Sequence, residues 1–152
     1  MKKVGIFYAH RARLPDEDLS RDTAALAEVL KPRFEARFGE PVTMVVTPGK
    51  WDFSLYFQGD WNEWAASVAS RKHAVTGRPL YDLFVCPDDF VGRATAHMLI
   101  TAMGTGKRVF RFEPYTRKLS AVHFIACIDD DNWSSGYQLI TVARKKETPD
   151  AQ

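Results

Sequence analysis

Long apolar runs are missing from this chain. None of its 152 residues falls in a stretch near the roughly 20 apolar residues that a membrane-spanning helix needs, so no membrane partner is expected. The opening run Val4 to Ala9 is shorter than the core of a secretory signal and gives way at once to His10, Arg11 and Arg13. It reads as a first strand, and the protein as cytoplasmic. Cysteine is scarce: Cys86 and Cys127 each sit inside a strand-like run, which points to buried reduced thiols rather than a disulfide framework. Charge of one sign is lacking too. With 21 Lys and Arg against 19 Asp and Glu, the formal net charge is +2, which gives no warrant for nucleic acid as a partner. The four His are scattered without metal-ligand spacing, and no Ser or Cys lies in a nucleophile elbow. No metal and no cofactor are expected.

What the chain does have is length enough for one real core, read as a single α/β domain over residues 1–144 with a polar tail, 145–152. The organising stretch runs from Leu80 to Glu113. Leu83 to Cys86 is a short apolar run that stops at Pro87-Asp88-Asp89. Gly92 opens a second apolar segment that closes at Gly104 and Gly106, and a β-branched and aromatic run begins at Val109. Strand, loop, helix and strand in that order make a βαβ crossover joining parallel strands. Ligands of open α/β sheets bind beyond the carboxyl ends of the strands, so the loop Pro87 to Ala94 is the first place to look for chemistry.

Before that stretch, His10 to Ser20 is polar and reads as a loop. Leu19, Thr23, Leu26, Ala27, Leu30, Phe34 and Phe38 then form a helical stripe that Gly39 should stop, with a kink or break expected at Pro32. Pro41 to Val46 reads as the second strand. The segment 47–59 carries Trp51, Phe53, Tyr56 and Phe57, either as a flap over the sheet edge or subunit interface or as rings that stack on a planar ligand. Asp60 and Glu63 have capping-box spacing, and the helix they open should run to Gly77. After the crossover, Pro114 to Leu119 reads as a basic loop. Ala121 to Ile128 and Tyr137 to Arg144 read as strands whose spacing allows an antiparallel hairpin. The acids Asp129, Asp130 and Asp131 between them lack the Glu of a calcium loop and read as a solvated turn.

The loop 87–97 supplies Asp88, Asp89, Gly92, Arg93, Thr95 and His97. A helix that starts with glycine and small residues presents free N–H groups to a phosphate or carboxylate. His97, one turn in, is expected to be a hydrogen-bonded, half-buried histidine more than a catalyst. Gly104-Thr105-Gly106-Lys107 is not a phosphate loop: the required earlier glycine is Thr101, and the segment follows a helix instead of a strand.

Asp82, Pro87-Asp88-Asp89, Val91-Gly92, Thr95-Ala96, Ala102 and Gly106-Lys107-Arg108-Val109, with Phe7-Tyr8 in the first strand, resemble the nucleoside 2-deoxyribosyltransferase family and its nucleotide N-glycosidase relatives. The resemblance implies a Rossmann-like (flavodoxin-like) three-layer sandwich, a homo-oligomer, and a nucleoside or nucleotide pocket to which Tyr8, His10 and Trp51 would add contacts. In that family a helix Glu attacks the anomeric carbon. Here one register puts Met98 at that position and Gly92 at the accompanying Asp, and the other puts Ala96 and Phe90 there, so the glycosyl-enzyme ester cannot form. Three readings follow. The chain is a nucleotide-binding protein without the covalent chemistry, an N-glycosidase or transferase using Asp82, Asp88 or Asp89 assisted by His97, or an interaction module built on the aromatic segment 51–64.

Overall fold

The computed structural model describes residues 2–10, 14–49, 61–128 and 136–141. In chain order the elements are β1 (Lys2–Tyr8), α1 (Asp16–Phe38), β2 (Val42–Pro48), α2 (Trp61–Ala69), β3 (Leu83–Cys86), β4 (Phe90–Val91), α3 (Arg93–Gly104), β5 (Arg108–Glu113), β6 (Lys118–Cys127) and β7 (Tyr137–Thr141). The strands make one seven-stranded sheet in the order β2-β1-β3-β5-β6-β7-β4. β2, β1, β3 and β5 run parallel to one another. β6, β7 and β4 extend that block by antiparallel pairing. The expected crossover is present as β3, α3 and β5, and β6 and β7 form the antiparallel pair that their spacing allows.

Alternation along the strands decides which helix covers which face. Val4, Ile6 and Tyr8 of β1 pack with Leu83, Val85, Phe110 and Phe112 against Ala25, Leu26 and Leu30 of α1. Phe7, Phe84, Cys86 and Val109 pack on the other face against Val68 of α2 and Ala96, Met98, Leu99 and Ala102 of α3. Rings of Phe7, Tyr81 and Phe84 meet there with centroids 5.1 to 5.7 Å apart. A strand apolar on both faces fits only the interior of such a sheet, which is why β1 and β3 read as unbroken apolar runs.

Several boundaries differ from the sequence expectation. Asp16, Glu17 and Asp18 are not loop but the first turn of α1, where carboxylates complement the positive end of the helix dipole. The helix also continues through Pro32. Pro32 is on the exposed side, so water can replace the bond it fails to give to the Glu28 carbonyl. Gly39 stops the helix as expected, in the left-handed region at φ 70°, with its N–H donating to the Glu35 carbonyl at 2.8 Å.

α2 ends at Ala69, well before Gly77. The Lys107 ammonium donates to the Ala69 carbonyl and Ser70 Oγ donates to the Ala66 carbonyl, so the helix end is capped from outside. The segment beyond closes on itself, with the His73 N–H donating to the Arg78 carbonyl and the Gly77 N–H to the His73 carbonyl. Val75, at 88% exposure, belongs to that turn and not to an apolar stripe. The basic loop at 114–119 is shorter than expected. Arg117, at φ 59°, donates its N–H to the Glu113 carbonyl, and β6 starts at Lys118. Cys127 is exposed rather than buried, whereas Cys86 is buried as expected. The aromatic run 51–59, the Asp60 cap, the Asp129 to Asp131 turn and the tail from residue 145 lie outside the described residues. No described helix is long and apolar enough to cross a membrane.

Candidate functional site

The chain leaves β1 toward β2 on one side and returns to β3 on the other, with α1 and α2 on opposite faces. Where strand order reverses in this way, the helices diverge and leave a crevice beyond the carboxyl ends of the two middle strands. Here those ends are Tyr8-Ala9-His10 and Cys86-Pro87-Asp88. The Ala9 N–H donates to the Val85 carbonyl at 2.8 Å and so carries the ladder to the rim. Gly49, following β2, donates its N–H to the Tyr8 carbonyl at 2.9 Å. A Cβ at Gly49 would meet Phe7 Cζ at 2.8 Å, so only glycine lets the chain lie this close.

Three elements contribute charge to this rim. Asp89 Oδ1 lies 2.8 Å from Arg111 Nε, and Arg111 Nη1 lies 3.2 Å from Glu113 Oε2. The Asp89 carbonyl also accepts from the Leu139 N–H at 2.9 Å, tying the loop to β7. Next to this row, α3 begins after Gly92 without a side-chain cap and without an acid in its first turn. On the α1 side of the sheet, the Tyr8 hydroxyl donates to Asp22 Oδ2 at 3.4 Å, and Arg21 lies 3.3 Å from Asp22 Oδ1. Burial, and then the negative charge of Asp22, push the Tyr8 phenol far above its ordinary range. Burial likewise pushes the Cys86 thiol up to about 12, so Cys86 is no nucleophile.

The expected site residues separate into groups. Asp88 and Asp89 share the rim with exposed Gly92 and Arg93, and His10 lies at the crossing point at 7% exposure. Asp82 does not join them: it precedes β3, at the opposite rim, where its Oδ2 accepts from the Gly5 N–H at 2.9 Å. His97 is exposed, not half-buried; with Arg93 and Ile100 it forms the outer stripe of α3, while Ala96, Leu99 and Ala102 face the core. Thr95 is buried at 9% exposure, and Tyr8 is fully buried with its hydroxyl turned onto Asp22. Trp51 lies outside the described residues. Both Met98 and Ala96, the alternative counterparts of the family's attacking Glu, are packed in the core at 0% and 1% exposure.

Arg111, Glu113 and Asp22 were not among the expected residues. Their signal was present: Arg111 and Glu113 alternate at the end of a strand-like run, and Asp22 sits on the stripe of Ala25 and Leu26 at helical spacing. The Gly106-Lys107 pair has a structural role, since Gly106 turns the chain at φ 85° and Lys107 caps α2. Among the described residues no group of three or more His, Cys, Asp or Glu is placed to hold a metal ion. Comparison with family models, with curated proteins and with solved structures finds no match to this chain.

Proposed function

We propose that the chain is a nucleoside- or nucleotide-binding protein of Rossmann-like, flavodoxin-like architecture, taking its ligand at the carboxyl ends of β1 and β3. In this reading it lacks the covalent glycosyl transfer of the family it resembles. The observation that carries the proposal is the pairing of Asp89 with Arg111 in the loop that follows β3, beside the uncapped start of α3. The N–H groups of that helix and the exposed Arg93 suit a phosphate or a carbonyl edge. Asp88 and Asp89 suit the hydroxyls of a sugar, with Arg111 as the ion partner of Asp89.

A second reading draws on the same contact. A carboxylate paired with a guanidinium beside a helix start is a candidate base for water at an N-glycosidic bond. Asp88 and Asp89 remain candidates for that role; Asp82 and His97 do not.

Thermal unfolding against a panel of nucleosides and nucleotides tests both readings. A ligand at 100 times its dissociation constant adds about 2.7 kcal/mol, which for a chain of this size raises the melting temperature by about 5–10 °C. No shift with any member of the panel overturns the binding proposal. Release of free base by the wild-type chain, lost in Asp88→Asn or Asp89→Asn, replaces the first reading with the second.

A further inference from the structure

The amino ends of the parallel strands carry a feature that the carboxyl-rim reading does not use. An open cleft of about 760 Å³ lies there, lined by Lys2, Lys3, Arg33, Arg37, Arg78 and Arg108 with Asp82 as its one acid. These six come from four parts of the chain: the start of β1, the end of α1, the segment after α2 and the start of β5. They converge because parallel strands all begin on one rim, and α1, having left the opposite rim, ends there. Thus the small overall charge of +2 conceals a strongly uneven distribution.

Helix electrostatics does not account for it. The carboxyl end of α1 bears about half a negative charge, which Arg37 in the last turn already complements. Arg33 and Arg37 stand one turn apart on the same face, a spacing at which like charges repel. Among the described residues none of the six cations forms an ion pair. Two rest on aromatic faces, Lys2 Nζ 4.3 Å from the Phe38 centroid and Arg108 Cζ 4.8 Å from that of Phe110. The apolar part of the wall includes Leu30, Phe34, Phe38 and Phe110, with Phe34 and Phe38 stacked at 5.8 Å.

We infer that this cleft binds a small molecule carrying two or more phosphate groups and a planar apolar body, the chemistry of a nucleoside polyphosphate. Guanidinium groups suit phosphate because their fork matches two oxygens at once. The volume falls in the range of about 300–1,000 Å³ typical of small-ligand sites, and Phe34, half-buried in the wall, offers a ring for a planar group. The site lies at the other end of the strands from Asp88 and Asp89, so it does not depend on the proposed function.

Isothermal titration of the full chain with ATP, tripolyphosphate and adenosine tests the inference. ATP and tripolyphosphate bind the wild-type chain at low salt and lose affinity as salt rises, while adenosine binds this cleft at least tenfold more weakly than ATP. Arg33→Gln with Arg37→Gln weakens ATP and tripolyphosphate at least tenfold. The single change Arg78→Gln, in an exposed loop, weakens them as well and covers the case in which the double variant is unstable. Dependence of both affinities on Arg33, Arg37 and Arg78, which lie at the amino rim, separates this site from the carboxyl rim. The inference is overturned by absence of ATP and tripolyphosphate binding, by affinities indifferent to the arginine changes, or by ATP binding no tighter than adenosine. It is also overturned if a single-stranded oligonucleotide binds more tightly than ATP through the same arginines, since the occupant would then be a nucleic acid.

Discussion

Gly5 and Asp82 hold each other from both sides: the Gly5 N–H donates to Asp82 Oδ2 at 2.9 Å, and the Gly5 carbonyl accepts from the Asp82 N–H at 2.7 Å. The chain before Asp82 crosses β1 so closely that a Cβ on Gly5 would meet the Leu80 carbonyl oxygen at 2.1 Å. Gly5→Ala therefore forces backbone apart and should cost about 1–3 kcal/mol, read as a lower urea midpoint. Asp82→Ala removes one acceptor of a backbone amide and should cost about 1 kcal/mol. Equal stability of Gly5→Ala and wild type would show that Leu80 does not lie where it is described.

Asp89 and Arg111 make the second testable pair. The Asp89 side chain is 52% exposed, so the pair contributes little to folding, about 0–1 kcal/mol. Asp89→Asn should unfold within about 1 kcal/mol of the wild type, yet lose the rise in melting temperature that nucleosides without phosphate induce. A variant that keeps the full rise removes Asp89 from the site.

The two thiols should behave very differently. Cys86 is buried and its thiol is pushed up to about 12, whereas Cys127 is exposed. One equivalent of thiol per folded chain should react with a disulfide reagent at pH 8. Cys127→Ser should abolish that reaction, and the second equivalent should appear only on unfolding. Rapid labelling of Cys86 in the folded Cys127→Ser variant would contradict its burial.

Alkali should destabilise the fold. The Cys86 thiol has its folded value raised from 9.0 to about 12, so its contribution is complete below about 9 and is lost as pH rises through about 12. The Tyr8 phenol is raised as well, by burial first and by Asp22 second, and acts in the same direction from its ordinary value upward. Urea midpoints measured from pH 8 to 11 should hold to about pH 9 and fall above it, and Cys86→Ala with Tyr8→Phe should flatten the decline. A flat wild-type profile would refute it.

Much of the scaffold was legible because local chemistry and tertiary packing agree there. Gly39 ends α1, Leu83 to Cys86 is a strand buried on both faces, and the apolar segment from Gly92 to Gly104 is a helix. Boundaries set by distant partners were not legible. α2 stops at Ala69 because Lys107, 38 residues later, takes its last carbonyl. β4 is too short to leave a periodic signal and exists only through its pairing with β7. In the site, Asp88 and Asp89 could be picked out as a loop after a strand. Arg111 showed only as a polar position in a strand-like run; its link to Asp89 could not be read, because it depends on the register between β3 and β5. Asp82 misled for the same reason: one strand length separates the two rims, and an acid before a strand looks much like an acid after it.

β6 gives its first residues to β5 and its later ones to β7, with a register shift between Val122 and Phe124. The carboxyl-terminal hairpin is thus no detachable appendage. A truncation just after residue 121 would remove the later part of β6 together with β7, leave β4 without its pairing partner and, by deleting the Leu139 bond to Asp89, untether the very loop on which ligand recognition has been placed.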